Sequence, residues 1–294
     1  MNRHLLAVLL GLTGVAIFGG TLPMTRLAVA GLDPYAATAG RALVSGMLAA
    51  TTLVLLRRPF PRRNWPEFLK VAVFITLGWP ILTAIAMTRV PAAHGGVVTG
   101  LLPLATAMAA ALLNRERPSL FFWLCGLAGS AVVIAYAMRD GGGTLHWADL
   151  LLIAAVASAG IGYSLSARLT AAMPGWEVIS WILVMALPFS ALATLVTLPR
   201  VNWSAPAASW LAFGYTAVFS QFVGFFFWNA ALAIGGVARI GQLMLFITFV
   251  TVALSALLLG ETIDPLTWAA AAAIVVIVAA GQRARVRLAP ARAG

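Results

Sequence analysis

The stretch Leu101–Pro118, "LLPLATAMAAALLNRERP", decides the fold. An unbroken apolar run ends at Arg115-Glu116-Arg117-Pro118. The chain repeats the device at Leu245–Pro265, "LFITFVTVALSALLLGETIDP", where another apolar run stops at Gly260-Glu261. With a shift of 145 residues, Glu116 falls on Glu261, Thr106 on Thr251 and Trp123 on Trp268. Earlier in each half, Thr25-Arg26-Leu27 matches Ala167-Arg168-Leu169, and Pro34 matches Pro174.

Composition sets the surroundings of these runs. Of 294 residues, 62% are hydrophobic and 9% charged, against about 25% charged in soluble domains. Apolar runs of about 18–25 residues with short polar breaks read as membrane-spanning helices rather than the alternating strands of a barrel. We read ten spans, at 4–24, 34–56, 67–87, 91–113, 118–138, 147–169, 175–197, 206–232, 235–259 and 264–284. The first reads as a span rather than a removable leader, because no small-residue cleavage site follows it. The one cysteine, Cys125, lies in an apolar run, so neither a disulfide framework nor a Cys-based zinc site is expected. The net charge of +11 reads as basic loops on one side of a membrane, not as nucleic-acid binding. With the N-terminus inside, 14 Lys and Arg fall inside and four outside, and Arg41 lies within a span. Both termini are then expected in the cytoplasm, at a bacterial inner membrane.

Five spans per half is an odd number, so the second half crosses in the opposite sense. The expected fold is an all-α integral membrane protein with two inverted-topology five-helix repeats, 1–142 and 143–294. Such repeats place a binding site near the midplane between the halves.

The run from Leu101 to Ala135 also resembles the EamA type of the drug/metabolite transporter superfamily. It has a mid-helix Pro103, Glu116 near its end, then a helix with Gly126 and Gly129. The second copy keeps Gly260-Glu261 but has Thr248 in place of Pro103. "DPYAATAGRALVSG", Asp33–Gly46, resembles the family's second helix, with Arg41 in the expected place. The resemblance implies ten helices around a central cavity and movement of small organic molecules. Within the superfamily the chain looks most like YddG-like bacterial amino-acid exporters. Nothing implies a cofactor, a metal or catalysis: His4, His94 and His146 are scattered. The implied partners are a small-molecule substrate and the lipid bilayer, without nucleic acid, and the sequence is compatible with a monomer.

Glu116 and Glu261 read as structural residues that pair with arginine or cap the following helix. Arg41 lies about 10 Å along its span from Pro34. It either snorkels to the interface or packs on carbonyls, or it gates and attracts a substrate carboxylate. His94 reads as a packing residue or as a substrate contact and proton acceptor. No Asp or Glu stands at mid-depth in any span. Gln221, Phe225 and Trp228 recur at i, i+4 and i+7, and with Trp79, Thr99, Tyr163 and Met244 they are the other candidate cavity residues. Small polar residues in such stripes are mostly packing positions. Gly19, Gly20 and Pro23 break the first span, Pro80 breaks the third, and Gly160 and Gly162 mark the matching place in the sixth. These are the hinge candidates.

Overall fold

The computed structural model describes residues 3–113, 117–140, 146–170, 172–236, 240–283 and 286–287. Glu116, with Asn114 and Arg115, lies outside them. Eight helices are long and apolar enough to cross a membrane. They are α1 (Arg3–Val29), α2 (Pro34–Leu55), α3 (Trp65–Met87), α4 (Ala92–Leu113), α5 (Leu120–Arg139), α6 (Trp147–Thr170), α7 (Gly175–Arg200) and α8 (Ala207–Gly235). Two shorter apolar helices follow, α9 (Leu243–Leu259) and α10 (Pro265–Gly281). Apart from a two-residue antiparallel pairing of Arg117–Pro118 with Val286–Arg287, the described residues are helices and short connections.

Helix starts follow from local chemistry. The Asp33 carboxylate accepts from the amides of Tyr35 and Ala36 at 3.0 and 2.9 Å, and Pro34 at the first turn needs no donor partner. Asp264 does the same for α10, accepting from Thr267 at 2.8 Å ahead of Pro265. The Thr267 amide, then Arg139, holds the Asp264 carboxyl below its usual range. Its contribution is therefore complete at neutral pH and is lost as pH falls through that lowered value.

Helices exchange partners by a simple rule. The pairs α2 with α7, α4 with α9 and α5 with α10 join elements five places apart. Two further packings come in matched sets: α1 on α8 with α6 on α3, and α1 on α9 with α6 on α4. Three apolar clusters fill the spaces. One gathers Met87, Val97, Leu152 and Ile274. A second holds Phe68, Ile75, Ile182 and Phe222. The third, with Ala7, Val15, Trp228 and Ile240, joins α1 to α8 and α9.

The helices depart from regularity at defined points. α1 divides at Gly20 into Arg3–Gly19 and Thr21–Val29. α3 widens into a π-helical stretch at Val73–Gly78 just before Pro80, and α8 does so at Tyr215–Val223. By contrast α6 runs unbroken from Trp147 to Thr170, which corrects the expected break at Gly160 and Gly162. Those glycines serve close approach instead. A Cβ on Gly160 would lie 2.9 Å from the backbone carbon of Ala105, and one on Gly162 would lie 2.5 Å from Ile75 Cγ1. The first obstacle is backbone and cannot swing aside. Gly160→Val is expected to cost about 1–3 kcal/mol through overpacking, seen as a lowered unfolding midpoint in detergent. Gly214→Val, where a Cβ meets nothing within 4 Å, should be near neutral.

Candidate functional site

The broken helix α1 shows how the site is held. Pro23 has no amide hydrogen, so the carbonyl of Gly19 loses its helical donor. The hydroxyl of Thr251 on α9 donates to that oxygen at 2.9 Å. Two residues earlier the Tyr215 hydroxyl of α8 donates to Ile17 O, also at 2.9 Å. Gly19 and Gly20 have no side chains in the way: a Cβ would sit 2.5 Å from Val250 Cγ1 and from the Tyr215 hydroxyl respectively. In α3, the Ser158 hydroxyl of α6 donates to Phe74 O at 2.9 Å within the π-helical stretch. The break in α1 is thus repaired, and the π-helical stretch of α3 is braced, from the other half of the chain.

These repairs make a testable pair. Thr251→Val leaves the buried Gly19 carbonyl without a donor, at a cost of about 1–3 kcal/mol. In a Pro23→Ala background the restored amide takes over, and Thr251→Val should cost less than half as much. Unfolding midpoints of the four proteins measure this. Equal costs in both backgrounds would sink the account.

Between α1, α2 and α8 lies a polar layer. Thr21 and Ser220 hydroxyls meet at 2.7 Å. Arg41 does not snorkel. It points inward, is 5% exposed, and its Nε donates to Gln221 Oε1 at 2.5 Å. Gln221 is the middle residue of α8. Among the described residues Arg41 has no carboxylate partner, although taking a charge out of water costs several kcal/mol per ion. Around it Thr25, Thr38, Thr216 and Ala84 line a small cavity of about 10 Å³. In this conformation the space beside Arg41 has room for about one water. A wider groove of about 560 Å³ runs along α1 and α8, lined by Leu27, Leu211 and Phe219. Leu211 and Phe219 are exposed, so this groove is part of the hydrocarbon-facing surface.

The other candidate residues divide among several places. Phe225 packs edge-on against Phe18 at 4.9 Å. Trp228 is buried against Gly14 of α1, where a Cβ would lie 3.3 Å from Trp228 Cβ. Met244 packs on the same cluster. Trp79 is half-buried at the end of the π-helical stretch of α3, and its carbonyl accepts from Thr83 at 2.8 Å. Tyr163 packs on the cluster around Phe68 and Ile182. Thr99 donates to Gly96 O at 3.3 Å, next to the interruption of α4. Trp181 of α7 is buried and meets Phe60.

His94 belongs to a separate buried cluster. Its Nε2 lies 2.7 Å from Asp149 Oδ1, with both side chains about 2–3% exposed. Asp149 Oδ2 accepts from the His146 amide at 2.9 Å. Tyr136 lies over the imidazole with ring centres 5.1 Å apart, and its hydroxyl meets Thr267 Oγ1 at 3.1 Å. Asp149 stands in the first turn of α6, not at the mid-depth positions, which the sequence leaves without an acid. Thr21, Thr25, Thr216 and Ser220 were also missed, although the spacing Thr21–Thr25 and Thr216–Ser220, one helical turn each, was a signal.

Glu261 pairs with an arginine and caps a helix, as its sequence position suggests, but the helix is not the one that follows it. Gly260 adopts a left-handed conformation, φ 65°, that turns the chain back at the end of α9. Glu261 then caps α4 rather than the following α10. Its two oxygens accept from Ala92 N and Ala93 N at 2.8 and 2.9 Å, and Arg26 Nε stands 3.3 Å away. Arg26 also donates to the carbonyls of Met87 and Val90. Arg168, its sequence match, donates to Leu113 O at 3.1 Å.

Apolar helices that pair five places apart, with a buried guanidinium among hydroxyls between them, define a multi-pass membrane protein of the transporter class. The EamA-like transporter family matches the chain twice, over residues 5–137 and 146–280. The chain is 39% identical over 287 residues to the uncharacterized transporter YdeK of Bacillus subtilis (strain 168), covering 96% of this chain and 99% of that one. The protein belongs to the EamA-like transporter family. A crystal structure of another protein superposes with TM-score 0.65 at 21% identity, over 94% of this chain and 98% of the other. At that identity the likeness carries the fold alone.

Proposed function

We propose that the protein is a secondary carrier exporting amino acids, aromatic and other neutral ones, or similar small metabolites, by alternating access. All ten apolar helices cross the bacterial inner membrane in this reading, both termini are cytoplasmic, and residues 1–142 and 143–294 form antiparallel halves. The two family matches and the five-place pairing of helices support it. So does the placement of the broken α1 beside the polar layer, since discontinuous helices commonly line transport sites. The observation that carries the reading is the contact of Arg41 with Gln221 at 2.5 Å. It joins the two matched copies through the middle of α8, and among the described residues no acidic side chain pairs with Arg41. Such a centre suits neutral or anionic metabolites. A carrier of organic cations or drugs, the alternative on the same fold, would need a buried carboxylate there.

The test is flux. Liposomes containing the purified protein and loaded with radiolabelled threonine, methionine or tryptophan should release label faster than empty liposomes. Unlabelled amino acid outside should change that rate. Release of cationic dyes with no amino-acid flux would overturn the reading. So would reporter tags that put the 114–118 and 260–264 connections on the same face of the membrane.

A further inference from the structure

We propose that Arg41, Gln221 and Thr25 form a binding site for a carboxylate, the group by which the carrier holds its cargo. This deepens the export reading and depends on it only for the identity of the cargo, not for the chemistry of the site.

The argument is a count of donors and acceptors. The Nε edge of the Arg41 guanidinium is taken by Gln221 Oε1. Its two terminal nitrogens have no partner among the described residues, so its end-on fork is free. Arginine can only donate, which fixes the amide of Gln221 with its oxygen toward Nε. The Gln221 Nε2 group is therefore turned away from Arg41, and it is buried without a partner. Thr25 Oγ1 is buried without one too. Thr38 and Thr216, on the same cavity wall, already spend their hydroxyl hydrogens on Pro34 O and Phe213 O. What remains unused is a set of donors: the arginine fork, one amide and one hydroxyl. All three side chains are at least nine-tenths buried.

That set selects charge sign. An ammonium group would meet a fixed positive charge, and the one amide oxygen nearby is already occupied. A carboxylate would accept two parallel hydrogen bonds from the fork, the strongest geometry available to arginine. The Thr25 hydroxyl, on the wall of the same cavity, can donate to one of its remaining lone pairs, while Gln221 holds the guanidinium by its Nε edge. Among the described residues, the buried and half-buried carboxylates are engaged elsewhere. Glu261 is held by α4 and Arg26, Asp149 by His94, Glu177 lies beside Arg58 and Asp264 beside Arg139. The cavity of about 10 Å³ is too small for a carboxylate in this conformation. Entry requires Thr25 and Val29 on α1 to draw away from α2 and α8, and the break at Gly20 is where α1 can bend.

Thermal unfolding of the purified protein in micelles, followed by the fluorescence of its ten tryptophans, tests this with matched probes. 3-Phenylpropionate and phenylalanine at millimolar concentration should raise the midpoint by a few degrees, and phenethylamine at the same concentration should not. Arg41→Lys keeps the charge but loses the fork, and should weaken the phenylpropionate response at least tenfold in concentration. The double variant Arg41→Met/Gln221→Leu removes both partners, which leaves neither group orphaned, and should stay folded with no response. An equal response to phenethylamine, a response to chloride alone, an unchanged response in either variant, or none to any carboxylate would overturn the site. Liposome flux separates this from the export reading. An Arg41-dependent response without amino-acid flux sinks export and leaves the site standing. Flux without a carboxylate-selective response does the opposite.

Discussion

A protein with His94→Leu alone is expected to lose about 3–5 kcal/mol of stability, because a buried carboxylate is left without its partner. Asp149 is 2% exposed and lies 2.7 Å from the imidazole. Once His94 is gone, one oxygen keeps only the His146 amide at 2.9 Å and the other faces hydrocarbon. Removing both groups avoids that outcome. The double variant His94→Leu/Asp149→Leu should cost less than half as much as the single one, since no charge remains to be solvated. Asp149→Leu by itself should lie between the two, because it leaves no buried carboxylate uncompensated. The four proteins form a double-mutant cycle, readable by unfolding in mixed detergent micelles. If the double variant is as damaged as His94→Leu, the pair is not what holds α4 to α6.

This cluster also shows where the sequence stops being readable. Asp149 stands near the start of its span, away from mid-depth. Depth along a helix is not burial, however, and α4 and α5 fold over that end of α6. Arg41 posed the converse problem. Its position was plain, but snorkelling and inward pairing differ only in rotamer and in which helix stands opposite. That helix is α8, some 180 residues away in sequence. Repetition, by contrast, was fully legible, because matched polar stops after apolar runs survive as pattern. So were the departures at Gly20 and Pro80, since proline removes a donor wherever it stands. Glycine is ambiguous in a way proline is not. Gly20 marks a break and Gly160 marks contact with Ala105, and the two look alike until the neighbouring helix is placed. Span lengths were approximate for a related reason: hydropathy marks the apolar part of a helix, whereas α1 continues through Arg26 to Val29, the charged side chain of Arg26 being satisfied by the carbonyls of Met87 and Val90 at the end of α3.

Glu261→Ala is the other substitution expected to act strongly, with a loss of about 2–3 kcal/mol. Two amides at the start of α4, Ala92 N and Ala93 N, would lose charge-assisted partners, at a helix end whose first amides have no internal acceptor. The ion pair with Arg26 adds less, since Arg26 is 34% exposed and water screens it. Glu261→Gln tells the two contributions apart. Its single carbonyl oxygen can cap one of the two amides and neutralises the pair, so about half the loss should remain. If the ion pair dominated, Gln and Ala would be equally damaging. The same contact ties α9 to α4 and to the Arg26 end of α1, so its loss should also loosen that end of the bundle. With the native Cys125 replaced by alanine, a cysteine placed at Val29, on the wall of the small cavity, should react faster with a membrane-impermeant thiol reagent in Glu261→Ala than in the parent. Unchanged reactivity together with the stability loss would mean that Glu261 caps α4 without closing that end. Faster reaction means that one carboxylate, turned back by the left-handed Gly260, both finishes a helix and holds the bundle shut above Arg41.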